Sequence, residues 1–162
     1  MAHARTDTLK LRGYLEYVVR DARTGAVVKR GRSKNTVTAW GRGWALERLT
    51  PSSNAQVLSS IAIGSNSSTA PASNQSALVN YMTIRNFGTT GLTTATNTAC
   101  TFTGAVSFAS NETWTNSSQI GEFAIYNSAA TASGAMFNRL TTSTYINFAT
   151  SNTLAITITI TN

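Results

Sequence analysis

The last segment of the chain alternates without a break: Leu154, Ile156, Ile158 and Ile160 share one face of an extended strand, and Thr153, Thr157, Thr159 and Thr161 share the other. Side chains alternate across a strand with a period of two, so this run predicts a strand over 153–161 with one buried and one hydroxyl face. A strand with a wholly aliphatic face needs hydrogen-bonded neighbours and a second layer to cover it. The rest of the chain is therefore searched for partners of the same kind.

Further strand candidates lie at 60–64, 80–86, 99–108, 119–126, 135–140 and 144–148, separated by Asn, Gly and Ser turns. Many short strands with few long connections predict a mainly β chain, an antiparallel β-sandwich or jelly-roll-like domain over 51–162. Before it, residues 9–20 alternate through Lys10, Arg12, Tyr14 and Glu16. Asp21 and Gly25 then bracket a five-residue loop, and 26–30 supplies a return strand, so the segment predicts a β-hairpin. Thr38 can cap one short helix carrying Trp40, Trp44 and Leu49, with Pro51 as its stop. Gly41 and Gly43 weaken that helix, which then depends on packing its tryptophans. Asn74 or Ser76 can cap a single helical turn running to Leu78.

Charge divides the chain at the same place. Residues 1–50 carry eleven Lys or Arg against four acids, whereas 51–162 carry only Arg85, Glu112, Glu122 and Arg139 among 38 Ser or Thr and 13 Asn. All of the net charge of +7 thus sits in residues 1–50, which are expected to form a basic arm of hairpin plus helix, apart from the sandwich. A hydroxyl-rich composition also suits disorder, but disordered chains avoid aromatic residues. Here Phe102, Phe108, Trp114, Phe123, Tyr126, Phe137, Tyr145 and Phe148 recur at strand spacing, which favours a folded domain. No apolar run is long enough to cross a membrane as a helix and no secretory leader is evident, so the chain is expected in the cytosol of the cell that makes it. The single cysteine, Cys100, beside Ala99 and Phe102, reads as a small core residue.

Residues for catalysis are scarce. His3, the only histidine, stands two residues from the start, which leaves no second imidazole for a zinc site and no internal base for a serine nucleophile. Glu112 and Glu122 supply two carboxylates by count, but nothing in the sequence sets them across a substrate. Glu122 falls inside the apolar strand 120–126, where Arg139 on the next strand is the expected structural partner. Gly41 and Gly43 lack the Lys-Ser/Thr that completes a phosphate loop. The Asn66, Asn111 and Asn116 glycosylation-type triplets are what an Asn/Ser/Thr-rich chain produces by chance. No enzyme activity, cofactor or metal is expected. The electrostatic signal is the hairpin: Lys10, Arg12, Arg20, Arg23, Lys29, Arg30, Arg32 and Lys34 form the expected partner-binding set. They suit either an acidic protein surface or, with Tyr14, Tyr17 and Trp40 as stacking platforms, the phosphates of a nucleic acid.

Two stretches carry a resemblance. Ile61-Ala62-Ile63-Gly64, a Ser/Thr loop, Pro71, Asn74 and Ala77-Leu78, followed by 120–127 and then 133–139 with Phe137 and Arg139, resemble a pattern in structural proteins of tailed bacteriophages. The similarity covers roughly 55–162, and Asn35-Thr-Val-Thr with Gly41-Arg is similar to the lead-in before the first helix of such proteins. The chain departs from the pattern at Ala124, where the family usually has Gly, and at Asn74, where it often has Asp. The resemblance implies a non-enzymatic virion protein, assembled in the host cytoplasm as a β-sandwich homotrimer. Capsid decoration or cement at capsomer junctions, touching the major capsid protein or neighbouring subunits, fits a self-contained module best. A head–tail or tail adaptor of the collar or fibre kind is the alternative within the class, and a nucleic-acid-binding protein the alternative outside it.

Overall fold

The structure is a computed structural model that describes residues 11–47, 58–87, 89–96, 99–110, 112, 114, 118–127 and 135–161, with the backbone alone for 46, 47, 89–96 and 99–101. Its elements are β1 (Arg12–Asp21), β2 (Val27–Lys34), β3 (Thr36–Val37), α1 (Ala39–Glu47), β4 (Ser60–Gly64), β5 (Tyr81–Asn86), β6 (Thr89–Thr96), β7 (Ala99–Phe108), β8 (Gln119–Tyr126), β9 (Met136–Asn147) and β10 (Asn152–Thr161). They form two five-stranded sheets, ordered β2-β1-β10-β7-β6 and β3-β9-β8-β4-β5, in which every pairing is antiparallel. The fold is mainly β, an antiparallel sandwich. The strand order does not establish the jelly-roll variant.

One core joins the sheets. Leu154, Ile156, Ile158 and Ile160 of β10 meet Ile61, Ile63, Phe123, Ile125 and Leu140 of the opposite sheet, all with little or no exposed surface. Leu15, Tyr17 and Val19 of β1 belong to the same core, and β1 pairs with β10 along its full length, from Arg12 opposite Thr161 to Asp21 opposite Asn152. The expectation of a separate arm over 1–50 is corrected here. β1 lies between β2 and β10, and the chain passes from β2 through Asn35 directly into β3 of the other sheet. The charge boundary is not a structural one, because Arg12, Arg20, Arg30, Arg32 and Lys34 lie on the hairpin's outward face while the inward face of β1 completes the sandwich.

The hairpin turn forms where Asp21 and Gly25 place it. Asp21 Oδ1 accepts the amides of Arg23 and Thr24 and the Thr24 hydroxyl, and Gly25 takes the left-handed φ of 72° that a side chain would resist. Those hydrogen bonds, the Thr24 hydroxyl first, hold the Asp21 carboxyl below the usual carboxylate range.

Helix α1 starts at its expected cap. The Gly41 amide donates to Thr38 Oγ1 at 3.0 Å, and that hydroxyl, buried, donates in turn to the carbonyl of Met136 at 2.6 Å. Trp44 packs edge-on against Phe137 with ring centroids 5.4 Å apart, whereas Trp40 stays 37% exposed, so one tryptophan and not both anchors the helix. Leu49 and Pro51 lie outside the described residues. Thr38 thus ties the helix to β9 by one hydroxyl. Thr38→Val keeps the shape and is expected to cost about 1–2 kcal/mol through loss of the cap, read as a lower urea midpoint; an unchanged midpoint would remove Thr38 from the account.

Three further expectations change. The two strands at 135–140 and 144–148 are one strand, β9, which bulges so that residues between Thr141 and Ile146 face Gly121 on β8. No helix forms at 74–78, where the chain turns. Strands β3 and β6 are additions to those expected. Cys100 lies on β7, and its burial falls outside the described side chains, as does His3 outside the described residues.

Candidate functional site

The outer face of the β1–β2 pair is built by register. Tyr14 stands opposite Lys34, Glu16 opposite Arg32 and Val18 opposite Arg30, so these residues share the face turned away from the core, together with Arg12 and Arg20. All five cations are exposed. Arg32 lies over the Tyr14 ring, 3.6 Å from its centroid, and 3.9 Å from Glu16, a solvated pair worth little to stability. Arg20 reaches back to the carbonyl of Gly25 at 3.0 Å, and Arg23 sits exposed in the turn. The face continues across β10 and β7 as Thr157, Thr159, Thr103, Ala105 and Ser107, matched in register; none of these five is charged, Thr159 is largely buried among them, and Arg85 borders the far end at Ser107.

The expected partner-binding residues are therefore only partly brought together. Arg12, Arg20, Arg30, Arg32 and Lys34 share one face, and Lys10 lies outside the described residues. Lys29 points the other way: its Nζ donates to the carbonyl of Tyr145 at 2.7 Å and contacts the Thr144 hydroxyl at 3.4 Å. With Ser33, whose hydroxyl donates to the Thr141 carbonyl at 3.0 Å, Lys29 binds backbone that the β9 bulge leaves out of its ladder. Lys29 is a closure between sheets rather than a member of the basic surface. Of the three aromatic platforms, Tyr14 alone joins the cations, because Tyr17 faces the core and Trp40 is on α1.

The second constellation is the pair Glu122 and Arg139, neither of whose side chains is exposed. Arg139 Nε donates to Glu122 Oε2 at 2.8 Å and Nη2 lies 2.8 Å from the same oxygen. The pair faces away from the main core, beneath residues 65–80 that link β4 to β5. Glu122 accepts the amides of Asn80 at 2.7 Å and Val79 at 3.1 Å. Arg139 Nη1 donates to the Thr69 carbonyl and to Gln75 Oε1, which also accepts the Ala72 amide. A second small cluster of Ala62, Leu78, Ala124, Tyr126 and Met136 seals the same region. The connection approaches the sheet so closely that a Cβ at Gly64 would run into Glu122, and one at Gly121 into the backbone of Asn66. The sequence offered Arg139 as the partner of Glu122. It held no local signal for Gln75 or the two amides, since these meet the pair only through the folded connection.

Tyr126 adds a titration to this region. Burial, more than any neighbouring charge, raises its hydroxyl above the usual phenol value, while its oxygen accepts the Leu78 amide at 3.3 Å. The folded pKa exceeds the unfolded one, so the associated stability is present below about pH 10 and is lost as pH climbs through the folded value. Tyr17 and Tyr81 are raised by burial as well and contribute in the same direction. Urea midpoints measured from pH 8 to 11 are expected to fall beyond pH 10, and less steeply in Tyr126→Phe; equal slopes would remove Tyr126 from the effect.

Glu112 and Glu122, the two carboxylates beyond Glu47, are each committed to an arginine. Glu112 Oε2 is 2.6 Å from Arg85 Nη2, and Arg85 also donates to the Ser107 carbonyl where β7 extends past its pairing with β6. Among the described residues no three His, Cys, Asp or Glu side chains gather closely enough to hold a metal ion, and no helix is long and apolar enough to cross a membrane. What the surface offers chemically is a basic strip along β1 and β2, with β2 the last strand of its sheet among the described residues, next to uncharged side chains of β10 and β7. No protein-family model, curated protein or solved structure matches this chain.

Proposed function

We propose that the chain is a non-enzymatic structural protein of a tailed-phage virion, seated on a neighbouring subunit through the outer face of β1 and β2. The observation that carries this reading is the convergence of Arg12, Arg20, Arg30, Arg32 and Lys34 on one face of a rigid sheet that is itself packed into the core. Arg12 and Arg20 ride on β1, held between β2 and β10, and Arg30, Arg32 and Lys34 on β2, paired to β1, so their backbone is ordered before any partner arrives, which suits a permanent structural contact. The resemblance supports the same reading in physical terms. Gly64, Leu78, Glu122 and Arg139, residues of the quoted pattern, are those that clip residues 65–80 onto the sheet. Capsid decoration, as a homotrimer adding buried area at capsomer junctions, is the preferred position. A tail or head–tail adaptor is the alternative. The hydroxyl face of β10 and β7, without charge to keep copies apart, suits self-association.

Mass spectrometry of purified particles tests this. The chain is expected in the virion at a copy number that tracks the major capsid protein, and the Arg30→Glu/Arg32→Glu/Lys34→Glu variant is expected to fold yet fail to incorporate. A handful of copies per particle moves the chain to the tail, and absence overturns the virion reading. The same cations with Tyr14 favour a second reading, nucleic-acid binding. Binding of duplex DNA that is weak and lost as salt rises through the physiological range fits a subunit contact, whereas tight binding that persists supports the second reading.

A further inference from the structure

Strand β2 brings together an open backbone edge, a one-sided row of charge and an adjoining groove. It ends its sheet, pairing with β1 on one side and with no strand on the other among the described residues. The amides and carbonyls that point away from β1 are a template for a further strand. Arg30, Arg32 and Lys34 stand at alternate positions and project to the outer face, while Lys29 and Ser33 turn inward and are held by β9. Between β2 and the β9 bulge opens a polar cavity of about 410 Å³, lined by Tyr17, Gly31, Ser33, Thr141, Thr142 and Thr144 among others.

We propose that β2 receives an extended acidic segment of a partner protein, which adds to the sheet as a sixth strand. The proposal rests on the docking role of the basic face and names what docks there. In strand addition the main chain supplies affinity and alternate side chains supply specificity. Two residues of strand advance about 6.6–6.8 Å, and a directly opposed side chain lies about 4.5–5.5 Å away, so acids at every second position of the incoming segment face Arg30, Arg32 and Lys34. Its intervening side chains point toward Gly31 and the hydroxyl-lined cavity, which suits small polar residues. The recognised pattern is acid alternating with Thr, Ser or Gly. The β2 edge of a second copy is not the occupant, because that pairing would set Arg30, Arg32 and Lys34 opposite the same cations. Nor does a nucleic acid fit as well, since phosphates match the cations and can accept from the edge amides but bring no donors for the alternating edge carbonyls. The bulge at Val28, opposite the Val19–Arg20 step, limits the receiving stretch to 29–34.

Fluorescence anisotropy with the full chain and a labelled peptide of alternating glutamate and threonine tests the proposal. The alternating peptide is expected to bind at least about tenfold more tightly than a peptide of the same composition with its glutamates contiguous. N-methylating alternate amides in one phase should abolish binding and in the other phase leave it intact, because only one set faces β2. The Arg30→Glu/Arg32→Glu/Lys34→Glu variant should lose binding while keeping its circular dichroism. Equal binding of both N-methylated peptides, or displacement of the peptide by an oligothymidylate at lower concentration, would show a plain polyanion surface and overturn strand addition, as would no binding at all. Particle incorporation separates this result from the virion reading: a chain that takes the peptide but is absent from virions keeps the site and loses the virion role, and the converse result does the reverse.

Discussion

Deleting residues 1–35 is expected to abolish the folded sandwich rather than trim an appendage. Leu15, Tyr17 and Val19 are 0%, 7% and 1% exposed and stand in the core beside β10. Burying three such side chains contributes about 5–9 kcal/mol at roughly 1.5–3 kcal/mol each, against a total stability of about 5–15 kcal/mol for a domain of this kind. The deletion also strips one edge of β10, exposing a long aliphatic strand to pairing with other chains. Circular dichroism and size-exclusion chromatography should therefore show a disordered or aggregated product. Leu15→Asp, which leaves every cation in place, should give the same result. The charge-reversed Arg30→Glu/Arg32→Glu/Lys34→Glu variant changes only exposed side chains and should melt cooperatively. A soluble, β-rich truncated protein would show that β1 is dispensable and would restore the separable arm.

Arg139→Met is expected to be nearly as damaging, although the side chain lies outside the main core. Its removal leaves Glu122 buried with two backbone amides as its remaining partners, and breaking a buried pair in this way costs about 3–5 kcal/mol. Replacing both members with apolar residues is often harmless elsewhere. Here Glu122→Leu with Arg139→Met should recover only part of the loss, because the amides of Val79 and Asn80 and the carbonyl of Thr69 lose their partners; these hydrogen bonds are part-buried, so each costs about 1 kcal/mol, the low end of the range for a lost partner. Hydrogen exchange should separate this lesion from a general one, with protection falling first at Val79 and Asn80 and later in β10. A urea midpoint for Arg139→Met equal to that of the unmodified protein would show that residues 65–80 hold themselves in place without the clip.

Much of the local structure was legible in the residues. The alternation of 153–161, the Asp21–Gly25 turn and the Thr38 cap each depend on the preferences of a few neighbouring residues, and each forms as those preferences require. β6 was not legible, because Thr89–Thr96 offers a single Leu and no alternation, and the strand exists through its pairing with β7. β9 read as two strands, 135–140 and 144–148, because Thr141, Thr142 and Ser143 interrupt the apolar pattern. The structure spans that interruption with a bulge whose exposed carbonyls are met by Lys29 and Ser33 from the other sheet.

The candidate surface shows the same division. Charge along the chain identified the residues that could meet a partner, but it suggested a boundary where none exists and counted Lys29 with cations from which it is turned away. Alternation tells which face of a strand must be buried. It does not tell what buries it, and a hairpin with one apolar face can satisfy that need against another molecule or against its own domain. The sequence by itself determined the strands with a clear alternation, the turn, the cap and the sign of the surface, because these follow from local sterics, hydrogen bonding and charge. Only the tertiary structure decided that β1 pairs with β10, that Glu122 and Arg139 hold residues 65–80, and that β2 ends its sheet among the described residues, because each depends on contacts between segments far apart in the chain.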